Sequence, residues 1–136
     1  MIILDTNVVS EMMKPIPDPS VGGWFQSLYP VDLAFSAVTL FEIRYGINLL
    51  PSSARRRRFD DTFLRIRNEG AFGRVLPFGP ATVDFAADVF SARRQMGRPI
   101  AISDCLIAGT VLEHGATLAT RNIRDFEGVG LSLINP

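Results

Sequence analysis

Lysine is almost missing from this 136-residue chain: thirteen of its fourteen basic residues are arginine, and Lys14 is the exception. Histidine and cysteine occur once each, as His114 and Cys105. A lone cysteine makes no intramolecular disulfide, and with no signal peptide the chain is expected to be cytoplasmic. With one histidine and one cysteine, zinc lacks its usual ligands and nucleophilic triads have no constellation to draw on. No apolar run approaches the ~20 residues that cross a bilayer, which predicts a soluble protein with no membrane partner. Fourteen basic residues balance fourteen acidic ones, so no global field draws the chain toward nucleic acid and any such binding must be local.

What is present is ample apolar material. At 47% hydrophobic residues the sequence can fill one core, and its length predicts a single domain over residues 1–136. The run Ile2 to Leu4 reads as a buried parallel strand, followed by helix-capping types at Asp5, Thr6 and Asn7 and a short helix that Pro15 and Pro17 end. A second short helix carries Trp24 and Phe25. Leu33 to Phe35 reads as a strand and Ser36 as the cap of a helix over Val38 to Leu50. Ser52 or Ser53 caps the next helix, which runs through Arg55–Arg58 and stops near Gly70. Arg74 to Pro77 is strand-like, Pro80 opens a helix to about Met96, Ala101 to His114 is another helix, and Thr117 to Ala119 and Leu131 to Ile134 close the series as strands. Strands alternating with helices predict an α/β/α sandwich around a mostly parallel central sheet of four to five short strands.

Three of these elements carry an acid in apolar company: Asp5 after Ile2-Ile3-Leu4, Glu42 within Leu40-Phe41-Glu42-Ile43, and Asp104 within Ile102-Ser103-Asp104-Cys105. Carboxylates beside buried surface are costly unless hydrogen-bonded, paired or bound to a cation. Each has a structural explanation taken singly. Asp5 can be a helix cap, Glu42 can pair with Arg44, and Asp104 can serve the dipole of its helix. Asp5 falls at the C-terminal end of a strand, the edge where open α/β sheets bind ligands. At 100° per residue Glu42 shares an arc with Val38, Tyr45 and Leu49, which predicts that it points inward. Asp104 shares a helical face with Ile107, Ala108 and Val111. Three independent elements thus place an acid where a sheet edge meets an apolar face.

A fourth contribution is expected from Thr120-Arg121-Asn122-Ile123-Arg124-Asp125-Phe126, which leaves a strand at the same edge. Asn122 and Asp125 compete for the role: charge favours Asp125, and the shorter distance from the strand favours Asn122. Asp125 could also cap a short terminal helix. Oxygen-only ligands of this kind suit Mg²⁺, or Mn²⁺ as a substitute. A metal held by Asp5, Glu42 and Asp104 would activate water and stabilise phosphoryl charge, so phosphodiester hydrolysis is the reaction these parts serve best. Thr6 and Asn7 could orient the water or a phosphate oxygen. His114 reads as a helix-end residue and Cys105 as a packed thiol.

With those residues in place the chain resembles the PIN-domain ribonucleases, within them the VapC and FitB type of prokaryotic toxin. The resemblance rests on Ile3-Leu4-Asp5-Thr6-Asn7, on Ser36 with Thr39-Leu40-Phe41-Glu42-Ile43-Arg44-Tyr45-Gly46, on Ile102-Ser103-Asp104-Cys105-Leu106-Ile107-Ala108, and on Leu118-Ala119-Thr120-Arg121-Asn122 with Asp125-Phe126. It implies a PIN-like fold, a Mg²⁺-dependent endoribonuclease acting on RNA with Asp5, Glu42 and Asp104 as its acidic metal cluster, a homodimer, and a small DNA-binding antitoxin as inhibitor. Asn122 departs from the family pattern, in which an aspartate often stands at that position.

Two arginine groups remain. Arg55–Arg58 covers about 300° of helix, so the four cannot share one face, while Arg93, Arg94 and Arg98 form a second group near Asp104 in sequence. Both are candidates for holding an RNA backbone, against the alternative of a solvated surface with Asp60 and Asp61 as neutralising partners. Two other functions compete with hydrolysis. One is phosphoryl transfer through a nucleophilic Asp5, which Lys14 as the sole lysine serves poorly. The other is a catalytically weakened PIN-like binding module in a protein–DNA regulatory complex.

Overall fold

Asp5 ends the first strand and starts the first helix, and that junction organises the molecule. The structure is a computed structural model and describes residues 1–28 and 31–136. Strand β1 is Ile2–Leu4; Asp5 then N-caps helix α1, Thr6–Met12, its carboxylate accepting from the Thr6 backbone N–H. Helix α2 spans Pro19–Gln26 behind the Asp18 cap and carries Trp24 and Phe25 as expected. Strand β2, Leu33–Ser36, hands over to α3, Ala37–Asn48, through Ser36, whose hydroxyl accepts from the Thr39 N–H. Helix α4, Ala54–Glu69, begins at the Ser53 cap and ends at Gly70, whose φ of 69° is the left-handed turn that glycine adopts without steric cost. There follow β3 (Arg74–Leu76), α5 (Pro80–Gln95), α6 (Ile102–Glu113), β4 (Thr117–Ala119), the single turn α7 (Ile123–Phe126) and β5 (Ser132–Ile134).

The five strands form one sheet in the order β3-β2-β1-β4-β5, and every pairing is parallel. The expected α/β sandwich is therefore present with a wholly parallel sheet. Side chains alternate across it, as a period of two requires. Ile3, Ala34 and Leu118 point to one face, where α5 and α6 cover them with Ala86, Val89, Ile107 and Val111. Leu4, Phe35 and Ala119 point to the other, under α1, α3 and α4 with Val8, Val9, Ile43, Phe63 and Ile66. The two helices on the first face sit so close that a Cβ at Gly109 would lie 2.8 Å from the Ala86 backbone nitrogen, so glycine is required there.

The strand order also locates the site. From β1 the chain moves outward to β2 and β3 on one side, then returns to β4 on the other side of β1. The C-terminal ends of β1 and β4 therefore flank a topological switch point, where open parallel sheets leave a crevice for ligands.

Candidate active site

Asp5 leaves β1 into that crevice and is 3% exposed. Its Oδ1 accepts from the Thr6 N–H at 2.8 Å; its Oδ2 accepts from Asn7 Nδ2 at 2.8 Å and from the Thr120 hydroxyl at 2.7 Å. Burial still pushes its carboxyl above the ordinary 3.8, opposed by the bonds from Thr120 and Thr6 and reinforced by the charges of Glu42 and Asp125. Thr120 is fully buried and joins the two halves of the crevice through its bond to Asp5, while its oxygen receives the Asn122 N–H at 3.0 Å. Sequence reasoning gave Thr120 no role of its own. The available signal was its place at a strand end directly opposite Asp5.

Glu42 reaches the same edge from α3. Its Oε1 accepts from the Thr6 hydroxyl at 2.7 Å. The inward stripe predicted for it is corrected: Tyr45 and Leu49 are 57% and 67% exposed, and α3 instead buries Thr39, Ile43 and Ile47. Glu42 lies at the border between those faces, oriented by Thr6 and not by apolar packing. Arg44 does not pair with it, since its guanidinium binds Asp60 at 2.6 Å.

Asp104 occupies the first turn of α6 and is half-buried. None of the hydrogen bonds of the described residues ends on its carboxylate. Burial, followed by the negative charges of Asp5, Asp125 and Glu42, raises its pKa to about 6, and Arg93 pulls weakly the other way. Asp125 thus belongs electrostatically to the cluster, acting on both Asp5 and Asp104. It does not cap α7; Asn122 stands at the N-cap position, makes no side-chain cap bond, and offers its backbone carbonyl to the Asp125 N–H at 3.0 Å. The four acids meet as charges. Among the described residues no three His, Cys, Asp or Glu side chains are gathered closely enough to hold a metal ion as they stand.

The remaining candidates lie elsewhere. His114 caps the end of α6, with Nδ1 2.9 Å from the Thr110 carbonyl, and Cys105 is buried with its thiol on the Ala86 carbonyl. The second arginine group is not a surface patch, because Arg93 is 4% exposed and Arg98 pairs with Glu127. In the first group Arg56 turns back to the Leu50 carbonyl and Asp60, and Arg55 lies over the Phe59 ring. Arg55, Arg58 and Arg65 edge a groove of about 1000 Å³ whose floor includes Met13, Ile47 and Phe59 and whose wall includes Glu42.

A parallel α/β sheet with acids gathered at its switch point leaves a polar crevice where a ligand can bind. The family model described as PIN domain matches residues 2–130, and the chain belongs to that family. It is 38% identical to VapC ribonuclease Y4jK of Sinorhizobium fredii, over 100% of this chain and 97% of that protein. To Toxin FitB of Neisseria gonorrhoeae it is 34% identical, over 100% of this chain and 98% of the toxin. The solved structure of FitAB bound to an IR36 DNA fragment superposes with a TM-score of 0.86 at 34% identity, covering 100% of this chain and 95% of that one.

Proposed function

We propose that this protein is a Mg²⁺-dependent endoribonuclease toxin, with Mn²⁺ as a substitute ion, that hydrolyses RNA phosphodiester bonds with water as the nucleophile. The observation that carries this reading is Asp104: a carboxylate with no hydrogen-bond donor among the described residues, facing three like charges, is arranged for a cation from outside the chain. The donors are all hard oxygens, which fit Mg²⁺ or Mn²⁺. When bound, such an ion lowers the pKa of water and stabilises charge on the phosphoryl group.

The chain's own residues do the rest. Asp5, Asp104 and Asp125 supply the negative charge that would hold the ion, with Asp5 locked in one rotamer by Thr6, Asn7 and Thr120. Glu42 keeps Oε1 on the Thr6 hydroxyl, and Oε2 takes no bond from the described residues, so it can serve as ligand or orient the attacking water. Asn122 contributes through its backbone, fixing Thr120 on one side and Asp125 on the other.

The groove beside Glu42 suits the antitoxin: an amphipathic segment with acidic flanks would set its apolar face on Met13, Ile47 and Phe59 and meet Arg55, Arg58 and Arg65. That the relative FitB is named a toxin and that FitAB is solved on DNA support a small DNA-binding partner. A homodimer is supported by the exposed row Phe41, Tyr45 and Leu49 on α3, where the rings of Phe41 and Tyr45 stack at 6.3 Å.

Incubation with single-stranded RNA tests the activity. Cleavage should stop in EDTA, return with added Mg²⁺, and be absent in Asp5→Asn with unchanged circular dichroism. Cleavage that persists in the variant or in EDTA contradicts the reading.

A further inference from the structure

Arg93 is a buried cation that forms no ion pair among the described residues, although its charge reaches Asp104. It projects from α5, is 4% exposed, and is absent from the ion pairs of the described residues. Its fork closes on backbone carbonyls: Nε donates to Arg98 at 2.7 Å, and Nη1 donates to Asp125 at 2.6 Å and to Glu127 at 3.2 Å. One guanidinium therefore ties the end of α5 to the segment that carries Asp125. That segment needs a tie, because α7 is four residues long and one helical turn is unstable on its own. Phe126, 1% exposed, anchors it from the core, and the Asn122 carbonyl holds the Asp125 N–H. Arg93 supplies the third point, on the carbonyl of Asp125 itself.

Resting on the assignment of Asp125 to the metal-binding acids, we propose that Arg93 is a positioning residue that holds the Asp125 carboxylate at the cluster. Charge makes the inference separable from a simple field effect. A cation whose charge reaches Asp104 opposes a divalent ion there, so if charge alone mattered, Arg93→Met would tighten metal binding. If Arg93 positions Asp125, the same variant weakens it. Arginine is needed for its geometry, since its rigid fork satisfies separate carbonyls that a lysine ammonium reaches only in part.

Titration of the metal-free protein with Mn²⁺, followed by the electron paramagnetic resonance signal of free ion, reads this without any activity measurement. Arg93→Met should lose on the order of 10- to 100-fold in affinity, the range seen when the outer support of a metal ligand is removed. Asp125→Asn should also bind more weakly, and adding Arg93→Met to it should cost nothing further. Arg93→Lys should fall between wild type and Arg93→Met, and the exposed Arg94→Ala should match wild type. Unchanged or tighter binding in Arg93→Met, or losses that simply add in the double variant, overturns the proposal. If Asp125→Asn binds Mn²⁺ like wild type, the assignment of Asp125 itself is wrong. Should Arg93→Met fail to fold, Arg93→Lys takes its place in the cycle: a several-fold loss that vanishes in the Asp125→Asn background supports the tie, and wild-type affinity refutes it.

Discussion

Replacing Asp104 with asparagine should make the metal-free protein more stable while ending its activity. The side chain keeps its shape and loses its charge. In the folded protein the carboxyl titrates at about 6, against an ordinary 3.8, so ionised Asp104 penalises the folded state. The penalty is absent below the unfolded value, grows as pH rises between the two, and is complete above the folded one. Taken at full value the difference corresponds to ~3 kcal/mol at neutral pH, and solvent reaching the half-buried carboxylate screens it to ~1–2 kcal/mol. For a chain of this size that is a rise in Tm of ~3–8 °C. Thermal unfolding in EDTA at pH 7.5 should show the gain, and at pH 4.5 most of it should have disappeared. Adding Mn²⁺ should raise the wild-type Tm and leave the variant nearly unmoved, because a ligand stabilises only the form that binds it. A variant less stable than wild type in EDTA at pH 7.5, or a gain that does not depend on pH, would refute the description of Asp104 as an unneutralised acid.

Other consequences follow from the same geometry. Thr120→Val removes a donor from buried Asp5 and the acceptor of the Asn122 N–H, and should cost ~1–3 kcal/mol in urea unfolding together with weaker Mn²⁺ binding; wild-type stability would show these bonds to be unimportant. Gly109→Ala forces a methyl group against the Ala86 backbone and should cost ~1–3 kcal/mol, visible as a lower urea midpoint, whereas a neutral result would mean α5 and α6 separate freely. If the exposed row on α3 is the dimer contact, Tyr45→Arg should give a monomer by light scattering during gel filtration, and an unchanged dimer would move the contact elsewhere.

Much of this was legible in the sequence because local rules dominate where the elements begin and end. Asp5, Ser36 and Ser53 cap helices, Gly70 closes one, and Pro80 opens one, each through chemistry confined to a few neighbouring residues. Three of the acids were readable because a charge beside an apolar run stands out. What failed depended on tertiary placement. Helical periodicity assigned Glu42 a face but could not choose between two apolar stripes, since Phe41, Tyr45 and Leu49 are as apolar as Ile43 and Ile47. Proximity in sequence grouped Arg93 with the exposed Arg94, although Arg93 turns inward to the Arg98, Asp125 and Glu127 carbonyls while Arg94 stays in solvent. Where Asn122 and Asp125 lie depends on the path of α7, which the burial of its own Phe126 and the Arg93 fork from α5 direct through contacts distant in sequence.

In the proposed site, acids from four separate elements would share one divalent cation. Diffraction from crystals grown with MnCl₂, recorded at the manganese absorption edge, tests it most directly. An anomalous peak is expected at the C-terminal edge of the sheet with oxygens of Asp5 and Asp104 at ~2.0–2.3 Å, the range for small hard cations, and Glu42 and Asp125 around it. A map at saturating Mn²⁺ with no peak there, or with its only peak away from these carboxylates, would contradict it.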